Sequence, residues 1–86
     1  MLMRVFTQGD GPEAREAKDL AARIKDDYGV HVEFLDTEDR NGKEVAEVYD
    51  IYTTPSFLIT TDEGVVLDSW IGKIPAEFEL KGVLSA

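Results

Sequence analysis

Three groups of residues in this 86-residue chain have the types and spacing for chemistry. His31, Glu33 and Asp36 could offer a nitrogen and two oxygens to a metal ion. Asp36, Glu38, Asp39 and Asn41 set carboxylate and amide oxygens close together in one loop, as calcium sites do. In the stretch TQGDGPEAREAKDL, residues 7–20, Gly11 and Pro12 open an apolar-periodic run at which free backbone N–H groups could meet an anion. Each has a plainer reading. Residues 31 and 33 share a face of an alternating segment, where solvent exposure explains them, and two ligands make no closed site. The acidic loop lacks the twelve-residue spacing and closing glutamate of a calcium loop. Asp10 and Glu13 oppose an anion; their spacing is that of a capping box, and Pro12 is at home in a first helical turn. No metal and no cofactor are expected.

Composition removes further classes. The chain has no cysteine, which excludes disulfide staples, thiolate metal sites and dithiol exchange together. Eighteen acidic residues against nine basic ones give a formal charge of -9, the wrong sign for neutralising phosphates. Nucleic acid and anionic membranes are therefore not expected as partners. Met1 to Arg4 does not read as a signal peptide, and no apolar run approaches the roughly 20 residues of a transmembrane helix. A cytoplasmic protein of one domain, residues 1–86, is the expectation, with the scattered acids serving solubility or attracting a basic partner.

The elements that must position any site follow from periodicity. Met1 to Thr7 is short and apolar and reads as a buried strand. Ala14, Ala17, Leu20, Ala21, Ile24 and Tyr28 recur at helical spacing, and Gly29 closes that helix. Val30, Val32 and Phe34 alternate with His31 and Glu33, predicting a second strand that runs into Leu35. Thr37 to Gly42 reads as a polar loop, followed by a short helix carrying Val45, Ala46, Val48 and Tyr49. Phe57-Leu58-Ile59 and Val65-Val66-Leu67 flank Thr61-Asp62-Glu63-Gly64, a hairpin signal in which Gly64 is free to take positive φ. Pro75 opens a last helix with Phe78, Leu80, Val83 and Leu84. The order is β-α-β-α-β-β-α, an α/β fold. A strand-helix-strand opening calls for a parallel pair, and the closing hairpin adds an antiparallel one.

Two local stretches in this order resemble the thioredoxin-like superfamily in its small, glutaredoxin-like form, and the likeness spans essentially the whole chain. In FTQGDGPEA, Gly11 stands at the first cysteine of the family's Cys-Pro-x-Cys motif, Pro12 on its proline and Ala14 at the second cysteine. YTTPSFLI is similar to the family's cis-proline segment. The resemblance implies a four-stranded mixed sheet flanked by three helices, with Thr54–Pro55 cis and packed across from residues 11–14. It also implies that the main chain of Thr54 is left free to bond an extended peptide, and that the groove is completed by the loop Ile71-Gly72-Lys73.

The departure from the motif decides the expected function. A thioredoxin-type enzyme needs a thiolate at the helix start and a resolving thiol one turn on. Gly11 and Ala14 supply neither. Nor is there the serine or tyrosine with which related glutathione transferases activate a thiol, and the nearby hydroxyls of Thr7 and Ser56 have no evident base. Trp70 reads as packing at the end of the fourth strand. The sequence thus points to a redox-inactive, non-enzymatic binding module that holds a peptide or protein across Gly11, Pro12, Thr54, Pro55 and Gly72. Two alternatives stand beside it: an enzyme that takes its thiol from bound glutathione, and an assembly domain that pairs through a sheet edge or helix face. Monomer or weak homodimer is the expected state.

Overall fold

Backbone pairing and apolar burial build seven elements, which a computed structural model describes over residues 1–85. Strand β1 (Leu2–Thr7) buries Met3, Val5, Phe6 and Thr7, so side chains on both of its faces are covered, as a central strand requires. Helix α1 (Pro12–Tyr28) turns Ala14, Ala17, Leu20, Ala21 and Ile24 inward. It ends where Gly29, at φ +64°, donates its N–H to the carbonyl of Lys25 at 2.8 Å, a conformation in which a side chain would be strained. Strand β2 (His31–Asp36), helix α2 (Arg40–Val48), strands β3 (Ser56–Thr60) and β4 (Val66–Trp70), and helix α3 (Glu77–Leu84) follow. The order is the expected β-α-β-α-β-β-α.

The sheet runs β2-β1-β3-β4. β1 and β2 are parallel, with Val5 beside Phe34, and β3 is antiparallel to both β1 and β4. One face carries Met3, Val5, Val32, Phe57, Ile59 and Trp70 against α1 and Leu80 of α3. The other carries Phe6, Leu35 and Leu58 against Ala46 of α2 and Ile51. Two cores on opposite faces explain why all five residues of β3 are buried.

Several local details differ from the sequence pattern or add to it. Strand β2 starts at His31, not Val30, and Phe34 is exposed because β2 is an edge strand with a neighbour on one side only. Helix α2 begins at Arg40, inside the segment read as a loop. Its Gly42 packs so closely on β2 that an added Cβ would lie 2.6 Å from the carbonyl carbon of Asp36, and this approach, rather than helix propensity, fixes the first turn. Val48 projects into solvent while Tyr49 packs on the second core. Pro75 is buried but stands before α3, since Ala76 is an extended N-cap (φ −72°, ψ 149°) and Glu77 the first helical residue. Phe78 is exposed, being about 200° around the helix from the buried Leu80. Finally, Val65, Val66 and Leu67 are exposed, because β4 is the other edge of the sheet. The turn before them is as expected: Thr61 donates to Val65 at 2.9 Å and Gly64 sits at φ +94°.

Candidate functional site

The C-terminal end of β1, the first turn of α1 and the segment before β3 meet at one end of the sheet. They enclose a cavity of about 280 Å³ lined by Thr7, Gln8, Gly11, Pro12, Glu13, Ala14, Thr54 and Pro55. Four of the five expected site residues, Gly11, Pro12, Thr54 and Pro55, therefore line one cavity. Gly72 does not line it. It lies behind the rim, where its N–H donates to Ser56 Oγ at 2.9 Å and where an added Cβ would approach Thr53 Oγ1 at 3.1 Å. Gln8 is a lining residue that sequence reasoning passed over, and Glu13, read there only as a capping residue and a charge opposing an anion, lines the cavity too. Gln8 also borders a second cavity, of about 510 Å³, shared through Thr54 and walled by Lys43, Ala46, Ile51 and Tyr52.

Pro12 is the first residue of α1, and Gly11, extended at φ −67° and ψ 174°, is its N-cap. The capping box expected from Asp10 and Glu13 is not formed: no side chain caps the helix. Asp10 lies outside the cap position and faces Lys18 at 3.8 Å instead. The first-turn N–H groups of Glu13 and Ala14, which have no intrahelical partner by geometry, are thus left uncapped at the cavity. An added Cβ on Gly11 meets nothing within 4 Å, so this edge of the cavity is open.

On the facing wall the Thr54–Pro55 peptide is cis, and among the described residues neither the N–H nor the C=O of Thr54 has a partner. A few residues on, Ser56 is fully buried and both its bonds are structural: the hydroxyl donates to the Thr53 carbonyl at 2.7 Å and accepts from Gly72. It is a brace. The Thr7 carbonyl is likewise occupied, accepting from the N–H and hydroxyl of Thr37. The only ionisable side chain in the lining is Glu13. The site offers free main-chain donors and an acceptor beside a single ionisable side chain, Glu13, and no nucleophile paired with a base.

The other candidate chemistry dissolves into structure. His31 is exposed, and Glu33 lies 3.7 Å from the half-buried Arg4, which also donates to Tyr49 and Thr60 and sits over the Tyr49 ring. Asp36 accepts the N–H of Glu38 at 2.9 Å and of Gly9 at 3.4 Å, folding the acidic loop back on itself. Among the described residues no three metal-ligating side chains gather, and no helix is long and apolar enough to cross a membrane. Trp70 is buried against the first core.

With this geometry in hand, solved structures decide the fold. Thioredoxin 1 from Thermosipho africanus superposes with a TM-score of 0.83 at 12% identity, covering 99% of this chain and 91% of that one. The fold is thioredoxin-like. Fasciola hepatica thioredoxin (TM-score 0.78, 18% identity, 98% of this chain and 77% of that one) agrees with it. A designed protein at 26% identity also superposes, with a TM-score of 0.76 over 98% of this chain and 72% of its own. No protein-family model and no curated protein matches the sequence. In this thioredoxin-like fold glycine and alanine stand at positions 11 and 14, and sulfur occurs only in Met1 and Met3.

Proposed function

We propose that this protein binds an extended peptide or protein segment across the cavity formed by Gly11, Pro12, Thr54 and Pro55, with the Gly72 loop bracing its rim, and performs no thiol chemistry. The observation that carries this reading is the unpartnered main chain of Thr54 on the cavity wall. A free N–H and C=O beside an open groove cost little in water and gain a partner when a strand lies alongside, the usual geometry of strand addition. The uncapped N–H groups of Glu13 and Ala14 supply donors to a peptide carbonyl from the opposite side. Glutathione is the less favoured occupant: it is anionic, and the only ionisable side chain in the lining is the acid Glu13.

Open space at Gly11 gives the test. Gly11→Leu fills the groove mouth without touching the fold, because the backbone there is extended and nothing is near the added carbon. A random-sequence decapeptide pool, titrated into labelled wild-type protein, is expected to shift the amide resonances of Gln8, Gly11, Glu13 and Thr54, and the leucine variant is expected to lose those shifts while unfolding at the same temperature. Shifts that persist in the variant, or reduced glutathione competing at micromolar concentration, count against the reading. The wild-type protein is also expected to leave insulin disulfides intact; catalytic reduction by pure protein would overturn the redox-inactive part of it.

A further inference from the structure

The two edges of the sheet are guarded very differently. β2 carries His31, Glu33 and Asp36 among its six residues, the charged dressing that keeps an edge from pairing with other chains. β4 does not. From Gly64 to Ile71 the sequence GVVLDSWI holds one charge, Asp68, in a chain that is 31% charged overall. Val65, Val66, Leu67 and Ile71 are 62, 47, 47 and 48% exposed, and among the described residues no strand pairs with the outer edge of β4. A bulge at Ile59–Thr60 bends the edge near its start. Beyond it the strand is regular, with Asp68, Ser69 and Trp70 in register with Ile59, Leu58 and Phe57. The exposed Ser69 N–H donates to the neighbouring Asp68 carboxylate at 2.8 Å, a partner that can be exchanged for a strand carbonyl.

Charge selects what lies there. A second copy of this chain would bring its own −9 charge and another Asp68 to the seam; like charges set close across a strand pair are unfavourable. A basic segment meets the opposite situation, since a cation beside Asp68 pairs with the only charge on the edge while aliphatic neighbours cover Val66, Leu67 and Ile71. We infer that the free edge of β4 is a second interaction surface, separate from the groove at Thr54, which takes an extended partner segment of alternating aliphatic and basic residues by strand addition.

The probe is an acetylated, amidated octapeptide of alternating valine and lysine, compared with its valine–glutamate counterpart. Titrated into labelled full-length protein, the lysine peptide is expected to shift the amides of Val66 to Ile71 and the glutamate peptide to leave them in place. Asp68→Lys is expected to weaken the lysine peptide about fivefold or more. Asp27→Lys, on the exposed side of α1, makes the same change in net charge and is expected to leave its affinity within about twofold. Equal losses in the two variants would reduce the effect to overall charge and overturn the proposal. So would shifts confined to Gln8, Gly11 and Thr54, which would keep the groove and discard the edge. Sedimentation of the wild type as a dimer with β4 amides protected would assign the edge to a second copy and likewise overturn it.

Discussion

Gly42 offers the sharpest test of the packing described above, because two physical effects give opposite signs. Glycine in a helix interior is less favourable than alanine by about 1 kcal/mol, so on propensity alone Gly42→Ala would stabilise α2. The structure predicts the reverse. The added methyl would stand 2.6 Å from the Asp36 carbonyl carbon, where ordinary carbon–carbon contact needs about 3.5 Å. Relief requires α2 to withdraw by about 1 Å. Since the obstacle is backbone, no rotamer change can absorb it. Withdrawal pulls at the Asp39-to-Asp36 bond (3.0 Å) and loosens Ala46 from the core of Phe6, Leu35 and Leu58. Overpacking of this kind costs about 3 kcal/mol, leaving a net loss of about 2 kcal/mol after the propensity gain. For a domain of this size that is a fall of about 10 °C in Tm. Gly82→Ala in α3 is the control: nothing lies within 4 Å of its added carbon, so it is expected to raise stability by up to about 1 kcal/mol. Urea unfolding followed through the buried Trp70 reports both. A Gly42→Ala protein as stable as the parent would refute the contact between α2 and β2.

Three further outcomes are expected. Gly11→Cys with Ala14→Cys puts two thiols three residues apart at a helix start, where Cα atoms are about 5–6 Å from each other, so mild oxidation should join them. The thiol at 11 should titrate below the ordinary thiol range; two thiols that alkylate independently after oxidation would mean that 11 and 14 do not share a turn. The phenol of Tyr52 donates to Asp50 at 3.2 Å, and this bond, with the Asp50 charge, holds its pKa above the usual tyrosine value. The folded state keeps that proton longer than the unfolded chain, so the contribution is complete below pH 10 and is lost as pH rises through the higher folded pKa. Asp50→Asn, which an αL backbone at φ +57° accepts, should lower the Tyr52 titration seen in ultraviolet difference spectra; no change would discard the bond. Ser56→Ala should cost about 1–3 kcal/mol, since it strands the Gly72 N–H and the Thr53 carbonyl.

What could be read in the sequence was whatever a repeating pattern or a proline announces. Ala14, Ala17, Leu20, Ala21 and Ile24 declare α1 because one face of a long helix must be apolar; Pro12 and Pro55 mark the two walls of the groove through a family likeness rather than through periodicity. The first turn of α2 was hidden, since Arg40, Asn41 and Gly42 have the composition of a loop and become helical through a close backbone approach to Asp36 that composition does not announce. Val65 to Leu67 announced one arm of a hairpin, but their exposure could not be read, because hydrophobicity marks a strand and not whether another strand covers its outer side. Gln8 and Glu13 belong to the groove through three-dimensional position alone. Gly72, expected on the groove, is not among the cavity's lining residues; its N–H is held by the Ser56 hydroxyl, a tie that no sequence pattern announces.

That hydroxyl has a thermodynamic consequence. The Ser56 side chain ties the Thr53 carbonyl to the Gly72 N–H, so the stretch leading to Thr54 and the loop leaving β4 are held by one buried atom. A ligand seated on Thr54 without disturbing this tie stabilises the closing end of β3 and β4 by mass action. One that spreads the rim must break it, and its affinity falls by the free energy of the broken bonds. By reciprocity, any change that slackens the loop at Gly72 alters binding at Thr54 by the same factor with which the ligand alters the loop. Amide exchange at Gly72, a residue outside the cavity, therefore becomes a gauge of occupancy inside it.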